Sequence, residues 1–334
     1  MRVYTRLPIG RIAVAGLLSQ LVLLAAAGSA WAQQQNYPTR PVRYIIPFPP
    51  GGSTDPMGRF IATKLTEKWG HSVVVDNRPG GNTVIGTEVL ARAQPDGYTI
   101  GWSGASMFST PSLIANLPYD VQKDFVSIAT IATGRSVLVV HPTVPTNNLQ
   151  EFTALMKSKP GEFNYGSSGV GTNTHLSGEL FNMMAGTKMV HIPYKGSGPV
   201  TTDLLAGRVQ LSFQVPITVI PFVSSNRLRA LAMSGEGRLP AMPTVPTFTE
   251  AGMKGFGLTS VTAMVAPAKV PRAIVNKINA DVNAVLALPA TTEFMAKQGA
   301  EPFASTPEQT AAVIREELAR YAKIIKGAGI VYKP

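Results

Sequence analysis

The sequence predicts an α/β fold built as two lobes with a ligand cleft between them, and three observations carry that reading. First, β-branched runs alternate with amphipathic helical runs from Val42 to Ile100, the pattern of a parallel sheet with right-handed crossovers. Second, a glycine-rich turn follows the first strand at Pro47-Phe48-Pro49-Pro50-Gly51-Gly52-Ser53-Thr54-Asp55. Third, a turn of the same kind recurs at Gly166-Ser167-Ser168-Gly169-Val170-Gly171-Thr172-Asn173-Thr174-His175. Each turn opens a helix, so each presents unpaired first-turn N–H groups and the positive end of a helix dipole to an anion. Two such cradles, one in each half of the chain, imply a site between two lobes.

The chain begins with a segment of another character. Arg2, Arg6 and Arg11 form a basic start, residues 12–27 are mostly apolar, and Ala30-Trp31-Ala32 fits the small-x-small pattern of a cleaved leader. Ser19 and Gln20 interrupt the apolar run, so neither part reaches the roughly 20 residues of a membrane span. The expectation is a signal peptide over residues 1–32, cleavage after Ala32 and a periplasmic product.

Residues 42–46 form the first strand. The helix from Asp55 carries Met57, Phe60, Ile61, Leu65 and Trp69 on one face, with Asp55 as N-cap and Pro56 at the first helical position. Residues 73–75 are a buried strand, 83–93 a second helix and 98–100 a third strand. Further strands are expected at 126–132 and 137–140. The two X-Pro pairs His141-Pro142 and Val144-Pro145 then favour extended chain and read as a lobe boundary. Residues 37–140 are therefore assigned to the first part of lobe 1 and 141–257 to lobe 2. Residues 258–334 return to lobe 1 through a strand near Val261 and a run of helices.

Composition narrows the function. Hydrophobic residues make up 45 % and charged residues 15 % of the 334, as in a globular protein. The absence of cysteine excludes disulfides, a thiolate nucleophile and a lipid-modified N-terminal cysteine. The net charge of +11 falls to +8 once the three leader arginines are removed. That charge is scattered, so no nucleic-acid partner is expected. Catalytic motifs fail at particular positions. Thr172 stands where a Walker A loop needs lysine, Thr174 where G-x-G-x-x-G needs its third glycine, and Ala105 where G-x-S-x-G needs its last. The four histidines lack zinc-ligand spacing, and no carboxylate pair stands out for acid–base work. No catalytic residue, metal or cofactor is expected.

The candidate contacts are then the two loops. Gly51, Gly52, Ser53 and Thr54 offer amides and hydroxyls. Ser168, Gly169, Gly171, Thr172, Asn173 and Thr174 offer more polar donors than a turn needs. Asp55 acts in the opposite sense, because an acid at a helix start satisfies the amides itself and repels an anion; it reads as a cap. His175, near the start of its helix, either donates to the ligand as a neutral imidazole or stabilises the cap. Lys195 either counters a carboxylate or is solvated. Trp102 and Phe108 either wall the cleft or pack in the core.

At these residues the chain resembles the periplasmic solute receptors of tripartite tricarboxylate transporters, the Bordetella uptake gene (Bug) family. The marks run along the whole expected mature chain: Pro47-Phe48-Pro49-Pro50-Gly51-Gly52 with Asp55, Asn77-Arg78-Pro79-Gly80, and Ala93-Gln94-Pro95-Asp96-Gly97-Tyr98-Thr99. They continue with Leu117-Pro118-Tyr119-Asp120, Asn164-Tyr165-Gly166-Ser167-Ser168-Gly169 and His191-Ile192-Pro193-Tyr194-Lys195-Gly196. The resemblance implies a type II periplasmic-binding-protein fold that closes on a small carboxylate, with Phe48, Gly51 to Asp55 and Ser168 to His175 as contacts. It implies integral-membrane transporter subunits as partners, and the receptor is expected to be a monomer. The chain departs from the family pattern at Gln210, where aspartate is usual, at Trp102, and around residues 258–262, where a tryptophan is usual. Two other classes fit the same fold: an exported enzyme acting on a cyclic carboxylate, and a sensory module that presents its ligand to a membrane sensor.

Overall fold

The first βαβαβ run forms as its periodicity dictates: β1 (Val42–Ile46), α1 (Thr54–Trp69), β2 (Val73–Asn77), α2 (Val84–Ala91) and β3 (Thr99–Ser103). The structure, a computed structural model, describes residues 37–332 except residue 53. The expected leader, its cleavage after Ala32 and the candidate contact Ser53 lie outside the described residues. β1 pairs in parallel with both β2 and β3. α3 (Ala105–Leu113) leaves β3 through Gly104, and β4 (Phe125–Gly134) follows.

The chain then enters a second sheet. Its elements are β5 (Val137–Val140), α4 (Leu149–Ser158), β6 (Asn164–Ser167), α5 (Asn173–Ala185), β7 (Val190–Pro193), α6 (Ser197–Leu205), β8 (Leu211–Gln214), α7 (Ile220–Ser224) and β9 (Arg229–Met233). It returns through β10 (Ser260–Pro267), followed by α8 (Arg272–Leu286), α9 (Pro289–Lys297), β11 (Ala300–Pro302) and α10 (Pro307–Ala328). The strand orders are β11-β4-β10-β3-β1-β2 and β7-β6-β8-β5-β9.

One expectation is corrected here. Val137–Val140 was assigned to the first lobe, but β5 lies in the second sheet, antiparallel to β8 and β9. All four of its residues are buried, so the run has no polar face to report which sheet it joins. The crossing therefore lies at Arg135 and Ser136. Ser136 is held on the second-sheet side, where its N–H donates to Ser234 Oγ at 2.9 Å and its carbonyl accepts the Ser234 N–H at 2.8 Å. The return strand behaves as expected: β10 inserts antiparallel between β3 and β4.

Each sheet has its own core. Ile45, Phe108, Tyr119, Val265 and Tyr321 pack together on the first, under α3 and α10. Phe152, Tyr165, Phe181, Phe213 and Phe248 form the second, with Phe213 and Phe248 stacked at 6.3 Å between ring centres. Strands β1 and β3 in one sheet, and β6 and β7 in the other, each lead directly into a helix. Their carboxyl ends thus deliver helix starts, the position at which open α/β sheets bind ligands.

Candidate ligand-binding cleft

A cavity of about 150 Å³ is lined by both sheets' strand ends and by four helix starts. Thr54 brings the start of α1, Gly104 to Ser106 that of α3, Thr172 to Thr174 that of α5, and Ser197 that of α6. No described residue lining the cavity is Asp, Glu, Lys, Arg or His. An anion held here would meet backbone N–H groups, hydroxyls and dipole ends in place of a counter-charge. α3 and α6 begin at Gly104 and Gly196 with no side chain capping them, which leaves their first-turn amides open to a ligand.

The second glycine loop is the more elaborate cradle. Thr172 caps α5, its hydroxyl accepting the His175 N–H at 3.4 Å and donating to the Gly169 carbonyl at 2.7 Å. Thr174 Oγ1 accepts the Ser168 N–H at 2.9 Å and lies 3.0 Å from Thr172 Oγ1 and 2.9 Å from Ser168 Oγ. The three hydroxyls form one chain along the cavity wall. Asn173 is only 8 % exposed, and its Oδ1 has no hydrogen-bond partner among the described residues. A buried amide oxygen of this kind ordinarily has a partner.

Gly171 sets the loop's path. Its φ is +75°, and a Cβ there would lie 2.5 Å from Leu113 Cδ1 and 2.6 Å from Ser109 Oγ. The loop from the second sheet thus sits directly against α3 of the first, and only glycine fits both the dihedral and the contact.

The first glycine turn is held differently from expectation. Asp55 lies inside the first turn of α1 and reaches back, so that the Gly51 N–H donates to its Oδ2 at 3.1 Å. Arg59 Nε donates to the same oxygen at 2.9 Å. Asn77 Nδ2 ties Asp55 Oδ1 and the Phe48 carbonyl together, each at 3.0 Å. Burial alone would push the Asp55 carboxyl up, but Arg59, the Gly51 amide and Asn77 outweigh it and hold it below the usual value. Asp55 does not line the cavity. It fastens the turn and has already taken the Gly51 amide.

His175 also works from behind. Its Nδ1 accepts the Gly171 N–H at 3.0 Å, and its ring stacks on His191 at 3.8 Å between centres. His191 Nε2 meets Ser167 Oγ at 2.6 Å. Burial pushes the His175 pKa down to about 3, helped by the neighbouring His191, and burial pushes His191 down to about 4. Both rings are neutral at physiological pH. With His175 Nδ1 accepting, its proton sits on Nε2. Of the two roles expected for His175, the structure places it in support of the loop and away from the cavity wall.

Of the expected contacts, Phe48, Thr54, Ser168, Thr172, Asn173 and Thr174 line the cavity. Gly51, Gly52 and Lys195 instead line an adjoining space of about 280 Å³ that shares Phe48, Thr54, Ser168 and Ser197 with it. Lys195 is exposed there and has no ion-pair partner among the described residues. Gly169 and Gly171 shape the loop without lining the cavity. Sequence reasoning missed Ser106, Ser197, Ser260 and Gln298 in the wall. The start of α3 carried a usable signal, since β3, Gly104 and a helix repeat the strand–glycine–helix order of the two recognised turns.

Comparison with known proteins places this architecture. The tripartite tricarboxylate transporter family receptor matches residues 57–330. The chain belongs to that family of receptors. Protein BugT of Bordetella pertussis is 37 % identical over 315 residues, covering 93 % of this chain and 97 % of its own. Among solved structures, an R. palustris protein with adipate is 34 % identical at a TM-score of 0.82, covering 88 % of this chain and 99 % of its own. The periplasmic binding protein BugD is 33 % identical at a TM-score of 0.80, over 89 % of this chain and 100 % of its own. The fold of these receptors is the two-lobed periplasmic-binding-protein fold, and family membership sets the enzyme reading aside.

Proposed function

We propose that the protein is a periplasmic receptor that captures a small carboxylate between its lobes and delivers it to the integral-membrane subunits of a tripartite tricarboxylate transporter. The observation that carries this reading is the convergence of four helix starts on one cavity lined by no charged described residue. Such a wall stabilises an anion through fixed dipoles and still lets it go, because no tight ion pair has to be broken on release. The adipate in a relative of similar fold supports the ligand class, and the family description supports the transporter as partner. The leader expected over residues 1–32 supports export, and we read the receptor as a monomer. With contacts supplied from both sheets, ligand binding favours the closed arrangement over the open one.

The test is a thermal-shift screen of protein purified from the periplasm, stripped of ligand by unfolding and refolding. A carboxylate at about 1,000 times its Kd stabilises the folded state by about 4 kcal/mol, which raises the melting temperature by several degrees. A reproducible rise with carboxylates and none with the corresponding amides is the expected result. No rise with any carboxylate overturns the reading.

A further inference from the structure

Away from the helix starts the cavity wall is apolar. Phe48, Met57 and Val261 line it from the first sheet's side, and Val215 and Ile217 from the second's. Trp102, at the end of β3, completes it and is 7 % exposed. Its indole Nε1 has no acceptor among the described residues. A Cβ on Gly104 would lie 3.4 Å from that nitrogen, so the glycine that opens α3 also leaves the indole room.

We propose that the receptor is selective for a carboxylate carried on a compact, flat apolar body, that is, an aromatic carboxylate of about benzoate size, and that Trp102 determines this preference. The proposal rests on the receptor reading above. Three observations support it. The helix starts provide for the carboxylate. The volume of about 150 Å³ is that of a cavity that accepts benzene. The wall also has the groups that favour a π-system over an alkyl chain: an indole, the Phe48 ring and the Met57 thioether. The Trp102 N–H adds one donor beside that surface. A hydrogen-bond acceptor on the ring would be met by that N–H.

The experiment measures binding of benzoate and adipate to the stripped protein by calorimetry, alongside melting. A Trp69→Phe background leaves Trp102 as the reporting indole in the described chain; Trp69 lies outside the cavity and donates to Asp281 at 2.7 Å. Benzoate is expected to bind at least tenfold more tightly than adipate and to quench Trp102 emission. Trp102→Ala is expected to weaken benzoate at least tenfold and adipate less than twofold. Trp102→Phe, which keeps a flat apolar surface, recovers most of the benzoate affinity. Adipate binding as tightly as benzoate, or a Trp102→Ala variant that weakens both equally, overturns the aromatic preference and leaves the receptor reading intact. Failure of every carboxylate to bind or to raise the melting temperature overturns both.

Discussion

His175 accepts the Gly171 N–H on its Nδ1 at 3.0 Å, and that bond ties the second glycine loop to a buried stack of rings. Tyr165 lies on the far side of the stack, 5.0 Å from the His191 ring centre, with its hydroxyl donating to Glu179 Oε1 at 2.5 Å. The loop is therefore only as firm as the neutral state of two histidines.

Acid should loosen it. Relative to an ordinary histidine near 6.5, the pKa is lowered to about 3 at His175 and to about 4 at His191. Between those values the unfolded chain binds protons that the folded chain excludes, so stability is full above about pH 6.5 and falls as the pH drops toward 4 and then 3. Each histidine contributes up to about 1.4 kcal/mol per pH unit. Denaturant midpoints measured from pH 7 to pH 4 should decline, and His191→Gln should flatten the decline by about half. A midpoint independent of pH in that range would show that the rings are solvated.

Thr172→Val keeps the side-chain shape but removes the oxygen that caps α5 and bonds Gly169. Loss of an N-cap costs about 1 kcal/mol. The variant should melt a few degrees lower and lose about tenfold in carboxylate affinity by calorimetry, because the hydroxyl chain through Thr174 to Ser168 is cut.

Asp55→Ala tests the fastening of the first turn. It strips the Gly51 amide, Arg59 and Asn77 of their common acceptor. Gly51 and Arg59 are exposed and turn to water when the acceptor is lost, so chemical denaturation should show a loss of only about 1 kcal/mol. If Asp55 instead opposed the ligand, the variant would bind carboxylate more tightly than the parent.

Gly171→Ala places a methyl between the two sheets' elements, 2.6 Å from Ser109 Oγ and 2.5 Å from Leu113 Cδ1, at a φ of +75°. The strain is of order 1–3 kcal/mol. The effect on binding should exceed the effect on stability, since the loop must retreat from α3. An unchanged Kd would mean that the loop position is immaterial to the ligand.

Much of this arrangement was legible beforehand, and the failures share a cause. The βαβαβ opening could be read because apolar period and punctuation agree there: Asp55 and Pro56 start α1, and Gly70 ends it with a φ of +68°. The glycine loops announced themselves by composition, and Gly51, Gly169 and Gly171 do adopt positive φ. β5 was assigned to the wrong lobe because a run buried on both faces looks the same in either sheet. α3 went unread because Ser106, Ser109, Thr110 and Pro111 weaken its helical pattern. His175 and Asp55 were judged by chemistry next to a glycine loop, whereas their direction depends on Gly171, Arg59 and Asn77, which only the fold brings to them. Ser197 and Gln298 enter the cavity from elements too distant in the chain for any local pattern to link.

β10 occupies the middle of the first sheet, between β3 and β4, yet it begins at Ser260. The chain emerges N-terminal end first, from a ribosome or across a membrane, so both strands wait with open edges until the intervening sheet has followed. That intervening segment, from β5 to β9, is contiguous and closes all its own pairings. It can settle first, as a plug of finished structure on a neck of two crossings, before the half that precedes it can be completed. The interval in between is when unpaired β3 and β4 are most open to pairing with another chain. Truncation upstream of Ser260 would make that interval permanent.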